Sequence, residues 1–137
     1  MNVVVIDAQG GGMGRMLVEA LKKAIPEQSI IAVGTNALAT AAMLRAGADQ
    51  GATGENAIRV CTRQADLILA PIGLVLCDAM LGEVTAAMAC AVGSSSAHKI
   101  LIPVSRCQVT VAGTVKQTLT EAVEAAVTEA VTRLRGR

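Results

Sequence analysis

The sequence predicts an α/β fold: a three-layer, Rossmann-like domain with a mostly parallel sheet and a possible antiparallel edge strand. Three observations carry this. Short β-branched runs alternate with amphipathic stretches of about ten or more residues, the pattern of βαβ units. The strand runs are apolar throughout, as expected where helices cover both faces of a sheet. A glycine cluster stands where the first strand turns into the first helix.

The first strand is Asn2-Val3-Val4-Val5-Ile6-Asp7, and Ala8 to Gly12 breaks it. A helix follows from about Gly12 to Ile25. Met13, Met16, Leu17, Ala20, Leu21 and Ala24 recur at spacings of three and four, and Pro26 ends it. Ser29 to Gly34 is the second strand. Thr35 or Asn36 can cap the next helix, about Ala37 to Ala46. Gly47 to Gly54 reads as a long glycine-bearing loop, and Glu55 to Arg63 as a helix. Leu67 to Ala70 is a buried strand closed by Pro71-Ile72-Gly73. Two helical stretches, about Leu74 to Met80 and Glu83 to Val92, follow.

After a turn at Gly93 to Ala97, Lys99 to Val104 is the next strand, and Pro103 suggests an edge. Gln108 to Val111 alternates and is expected to pair with it as a hairpin through Ser105 and Arg106. The last helix is expected to begin at Thr114, with Gln117 in capping-box position. Its seam is Val115, Leu119, Val123, Val127, Val131 and Leu134. Arg133, Arg135 and Arg137 suit the negative end of its dipole. No repeat or linker interrupts the pattern, so residues 1–137 read as a single Rossmann-like, nucleotide-binding domain.

Composition narrows the function. Apolar residues make up 53% of the 137, more than one small core needs. The surplus predicts a partner surface, and hence a homo-oligomer, a dimer first. Net charge is +1, and there is no Phe, Tyr or Trp. Without a basic patch or a stacking platform, nucleic acid is not expected as a partner. The same absence removes Tyr as a proton donor and any aromatic sandwich around a flavin or adenine.

The longest apolar run, Leu67 to Leu81, contains Pro71 and Asp78 and is too short to span a bilayer, so no membrane partner is expected. The amino terminus runs straight into a strand pattern, with no signal peptide. Cys61, Cys77, Cys90 and Cys107 form no C-x-x-C pair and no metal-binding spacing. Free thiols in the cytoplasm are the expectation, with Cys107, beside Arg106 in a turn, the foremost candidate for reactivity.

Four segments carry candidate ligand contacts. Asp7-Ala8-Gln9-Gly10-Gly11-Gly12-Met13-Gly14 joins a strand to a helix. Glycines let backbone amides approach a phosphate, and the helix amino end adds partial positive charge. The spacing departs from G-x-G-x-x-G and lies closer to G-x-x-x-G-x-G, with Ala8 in the first glycine place. No Gly-Lys-Ser/Thr follows, which excludes a P-loop. The alternative is a tight turn with no ligand.

In a dinucleotide fold an acid ends the second strand, about 20 residues on. Here Gly34-Thr35-Asn36 stands there, which weighs against NAD. Thr35 and Asn36 could contact a 2′-phosphate or simply cap a helix. NADP and a mononucleotide both stay open. Gly54, Glu55 and Asn56 open a helix at the same sheet end, where amides could hold a second anionic group. Pro71 and Gly73 end a buried strand and should reach the crevice rim. Asp7 and Asp78 could position a substrate or magnesium, although capping or interface pairing accounts for Asp78 better.

The runs Val5 to Gly14, Ile31 to Asn36, Gly51 to Asn56, Pro71 to Gly73 and Ile102 to Cys107 resemble the bacterial domain-of-unknown-function family 3842. The resemblance covers nearly the whole chain and implies a Rossmann-like fold, but no reaction. That family favours Gly where Ala8 stands and Asn where Ser105 stands. A weaker resemblance is to the nucleotide half of bacterial tubulin homologues. Their later glycine-rich phosphate loop is replaced here by Ala70-Pro71-Ile72-Gly73-Leu74-Val75, which speaks against GTP hydrolysis.

Three readings follow: a sensor or accessory module that binds a small phosphorylated ligand, a scaffold subunit whose glycine loop is only a turn, and an oligomeric NADP-dependent oxidoreductase. The last lacks Tyr and has one His, His98, expected just before a strand.

Overall fold

The computed structural model describes residues 1–104 and 108–136. Its elements are β1 (Val3–Asp7), α1 (Gly12–Ala24), β2 (Ile30–Gly34), α2 (Ala37–Arg45), β3 (Gln50–Thr53), α3 (Glu55–Gln64), β4 (Leu67–Pro71), a 3-10 turn (Ile72–Val75), α4 (Ala86–Ser94), β5 (His98–Ile102) and α5 (Leu119–Arg135). The five strands form one sheet in the order β3-β2-β1-β4-β5. All four pairings are parallel.

Strand order reverses between β1 and β4. The chain steps outward through β2 and β3, then returns across the sheet by α3 to place β4 on the other side of β1. Right-handed crossovers put successive helices on opposite faces when the direction of winding changes. One apolar cluster joins Val3, Val5 and Leu69 to Leu17 and Leu21 of α1, Met43 of α2 and Val123 and Val127 of α5. The other joins Val4, Ile6 and Ile68 to Ile58 of α3 and Met88 and Val92 of α4. Alternate residues of β1 feed opposite clusters, which is why its sequence is apolar without interruption.

Five expectations need correction. Gln50 to Thr53 is a strand, hidden in the sequence because it is a short, polar and mostly exposed edge. Gly51 allows it to sit close to α2: a Cβ there would stand 2.9 Å from Leu44 Cδ1. Leu74 to Met80 is not a helix. The chain makes the 3-10 turn and then successive turns, with Asp78, Met80, Leu81 and Gly82 all at positive φ. Its next helix begins only at Ala86, where the Thr85 hydroxyl accepts the Met88 amide at 3.1 Å.

Gln108 to Val111 is exposed and forms no strand, so no antiparallel strand occurs among the described residues. The expected turn at Ser105 and Arg106, Cys107 and Arg137 lie outside those residues. The last helix starts at Leu119, not Thr114. Thr118 and Glu121 form the capping box, at 3.2 Å and 2.9 Å. Glu121 supplies a charge that favours a helix amino end and that Gln117 lacks. The buried seam is accordingly Ala122, Val123, Ala126, Val127 and Ala130, while Val115 is left exposed. No helix among the described residues is long and apolar enough to cross a membrane.

Candidate functional site

Parallel strands all end on one edge of the sheet, so the loops after β1, β2, β3 and β4 open on the same side. That edge, where strand order reverses, is where open α/β sheets form their ligand crevice. Each predicted site residue belongs to one of these loops, to the strand end before it or to the first turn of the helix that follows.

The glycine loop divides into two kinds of glycine. Gly11 has φ +75°, and a Cβ on it would stand 2.8 Å from Ala39 Cα. A Cβ on Gly14 would meet Met43 Sδ at 2.6 Å and Asp7 Cβ at 2.8 Å. These two let α1 sit against α2 and against its own strand. Gly10 and Gly12 are different. Neither is at positive φ, and a Cβ on either would meet nothing within 4 Å. Among the described residues their amides carry no hydrogen bond. Fold and packing therefore require Gly11 and Gly14 but not Gly10 and Gly12, which present bare backbone to open space at the amino end of α1.

Asp7 is buried, and it faces inward. Its Oδ1 accepts the Ala8 amide at 2.8 Å and its Oδ2 accepts the Gly14 amide at 2.6 Å. The N-cap residue of α1 is Gly11, which has no side chain to do this. Asp7 therefore caps the helix from the preceding strand. Burial raises its pKa above the ordinary 3.8 and the charge of Glu83 adds to this, while the Gly14, Ala8 and Met13 amides oppose the rise.

Asn36 is a cap as well as a bridge. Its Oδ1 accepts the Ala39 amide at 2.9 Å, and its Nδ2 donates to Gln9 carbonyl oxygen at 2.9 Å. The Thr35 amide donates to the Asp7 carbonyl at 3.0 Å. Gln9, Thr35 and Asn36 are thus drawn into one cluster at the ends of β1 and β2.

A residue that the sequence reading passed over completes that cluster. Glu83 Oε1 accepts three hydrogen bonds: from Gln9 N–H at 2.7 Å, Thr35 Oγ1 at 2.5 Å and Asn36 Nδ2 at 2.5 Å. Burial pushes the Glu83 pKa up, but the bonds from Thr35, Gln9 and Asn36 outweigh it and hold the group below 4.5. Glu83 was expected at the start of a helix. The signal that could have found it is Gly82, a breaker in the loop after β4.

The remaining candidates are less tightly drawn in. Glu55 Oε1 accepts the Thr85 hydroxyl at 2.6 Å, which ties α3 to α4. Gly54, at φ +104°, is the N-cap of α3, and its amide donates to Gly34 carbonyl oxygen. Asn56 is exposed, and Pro71 and Gly73 are buried at the end of β4. Asp78 is exposed in the left-handed turn rather than buried in a helix. His98 begins β5, opposite Leu67 at the start of β4, and so lies at the other end of the sheet from the crevice. A groove of about 710 Å³ runs between α3 and α4, lined by Arg59, Arg63 and Cys90 among others, and no predicted site residue borders it.

The architecture is shared with a solved structure, that of a dodecameric FMN-dependent Ubix-like decarboxylase from Escherichia coli O157:H7. The likeness covers 96% of this chain and 93% of that one, with a TM-score of 0.52 and 14% sequence identity. At that identity it shows the common Rossmann-like α/β fold. No curated protein matches the chain significantly. The chain belongs to the family described as Domain of unknown function (DUF3842), which matches residues 2–135.

Proposed function

We propose that this protein is a binding module for a small phosphorylated ligand, a mononucleotide first, acting as a sensor or accessory protein. The observation that carries the reading is the pair Gly10 and Gly12. Both are glycine with no demand from the fold, and both leave amides unpaired at a helix amino end facing open space. A phosphate oxygen is the partner that such amides suit. Thr35 Oγ1 and Asn36 Nδ2 stand beside them as further donors.

A mononucleotide is favoured over a dinucleotide because β2 ends in Gly34 with no carboxylate after it for a ribose. The FMN named for the structural neighbour is a ligand of this class. The donor set here fits a phosphate once the Glu83 carboxylate is elsewhere. A bound flavin ring would rest on aliphatic side chains, since the chain has no aromatic residue. Bound FMN would supply redox or adduct chemistry of its own; this chain's residues would hold its phosphate and shield it from water.

Self-association belongs to the same proposal. Val109, Val111, Val115 and Leu119 are 37–79% exposed on the stretch that leads into α5, a run of apolar surface suited to a second copy. The neighbour's dodecameric state is compatible with this. Sedimentation velocity on the full chain is expected to give a species larger than a monomer.

The ligand reading is tested by thermal melting with FMN, AMP and NADP. The expected result is a concentration-dependent rise in Tm with at least one mononucleotide, absent in Gly12→Val. A melting temperature that no nucleotide moves would leave the glycine loop as a turn and the protein as a scaffold.

A further inference from the structure

Beside the unpaired amides of Gly10 and Gly12, three donors of the crevice, on Gln9, Thr35 and Asn36, are already taken by Glu83. A carboxylate that accepts a backbone amide, a hydroxyl and a side-chain amide on one oxygen has the hydrogen-bonding pattern of a bound anion. It comes from the loop Leu76–Thr85, which connects the 3-10 turn to α4.

That loop folds largely on itself over a base anchored in the core. Its backbone hydrogen bonds close on itself: the Asp78 amide to Val84 carbonyl oxygen at 2.8 Å, Gly82 to Asp78 at 3.1 Å, and Val84 to Ala79 at 3.2 Å. Among the described residues, the loop's side-chain hydrogen bonds to the ends of β1 and β2 all fall on Glu83 Oε1, and Thr85 at its carboxyl end bonds Glu55 of α3. Asp78, Met80 and Leu81 are non-glycine residues at φ of 59–65°, a conformation that costs energy at each position. Leu81, at the tip, is fully exposed. Val84, at the base of the loop, is buried in the core, with Ala79 and Met80 packed against the same cluster, so release of the carboxylate frees the exposed tip around Leu81 while the base stays anchored.

We propose that Glu83 is an internal stand-in for the ligand's phosphate, so that a phosphorylated ligand enters only by displacing it and thereby frees the loop that carries Leu81. The inference rests on the binding function proposed above and adds its regulation. Two anions cannot share the donors of Gln9, Thr35 and Asn36, and Asp7 beneath them is a second carboxylate that discourages crowding. Ligand binding is then converted into movement of an apolar loop tip, which a partner can read. The competing role, in which Glu83 stays in place and accepts a ribose hydroxyl, predicts the opposite effect of removing it.

The test is calorimetric titration of the full chain with inorganic phosphate, AMP and FMN, in wild type, Glu83→Gln and Glu83→Ala. Both variants are expected to bind more tightly than wild type, Glu83→Ala by about tenfold or more, a step of about 1.4 kcal/mol. Tightening for inorganic phosphate as well as the nucleotides identifies the phosphate as the displacing group. Tightening for FMN or AMP alone would place the competition elsewhere on the nucleotide and overturn the stand-in. A second readout needs no variant: the amides of residues 78–84 in wild type exchange hydrogen faster when ligand is bound. Ligand binding to wild type with unchanged or weaker binding to both variants, and loop exchange unchanged, overturns the stand-in and leaves the binding function intact. No binding of any probe to wild type or to either variant removes both.

Discussion

Asp7 Oδ2 accepts the backbone amide of Gly14 at 2.6 Å, so the carboxylate that ends β1 closes the amino end of α1 across the glycine loop. This makes Asp7 a structural residue first. Asp7→Ala leaves two buried amides, of Ala8 and Gly14, without acceptors and is expected to cost about 1–3 kcal/mol. Asp7→Asn keeps an oxygen in reach and relieves a buried charge, so its loss should be the smaller. Chemical denaturation of both variants gives the comparison.

The two carboxylates of the crevice titrate in opposite senses. Burial holds Asp7 above its ordinary 3.8, so the native chain keeps that proton longer than the unfolded chain does. The stability it lends is present at low pH and is lost as pH rises through the raised value. Glu83 is held below 4.5 by its three donors despite its burial. Its contribution is present above 4.5 and is lost as pH falls through the lowered value. Carbon-detected NMR should find the Asp7 midpoint above 3.8 and the Glu83 midpoint below 4.5. In Glu83→Gln the Asp7 midpoint should fall, because the Glu83 charge helps to raise it.

The four glycines separate into two classes on substitution. Gly11→Ala forces a left-handed residue and a Cβ 2.8 Å from the Ala39 backbone, and is expected to cost about 2 kcal/mol or more. Gly14→Ala should fall in the same range. Gly10→Ala and Gly12→Ala meet open space and should stay within about 0.5 kcal/mol of wild type. Equal destabilisation at all four positions would contradict the division.

Asn36 contributes through its amide nitrogen as much as through its cap. Asn36→Asp retains a capping oxygen for Ala39, and Asp caps about as well as Asn. It removes the donor to Gln9 and Glu83, however, and sets a second carboxylate against one that stood 2.5 Å away. A loss of about 1–3 kcal/mol is expected, no smaller than that of Asn36→Ala, and shrinking at acid pH as the paired carboxyls protonate. A mild Asn36→Asp variant would show that capping alone accounts for the residue.

Much of this was legible in the sequence. Asn2 to Asp7 and Leu67 to Ala70 read as buried strands because both faces demand apolar side chains, and Thr35 or Asn36 read as a cap, which the structure assigns to Asn36. What escaped were features set by tertiary context. β3 has too few apolar residues to announce itself and exists because β2 offers it an edge. The apolar pattern of Leu74 to Met80 reads as a helix, yet the chain there turns through left-handed residues to deliver Glu83. Within the site, composition pointed to the glycine cluster, but the distinction between packing and open glycines depends on where Ala39 and Met43 lie. Gly82 marks a break beside Glu83, but nothing local marks its role, because its partners are 47, 48 and 74 residues away in sequence.

The most direct test of the central claim is equilibrium dialysis of wild type and Gly12→Val against FMN and AMP, read by absorbance. The chain has no Trp, Tyr or Phe, so absorbance in the near ultraviolet reports nucleotide with little contribution from protein. The account predicts saturable binding of a mononucleotide, one equivalent per chain, to wild type and its loss in a folded Gly12→Val. Equal retention by the two proteins, or none by either up to millimolar ligand, would contradict a phosphate site at the glycine loop.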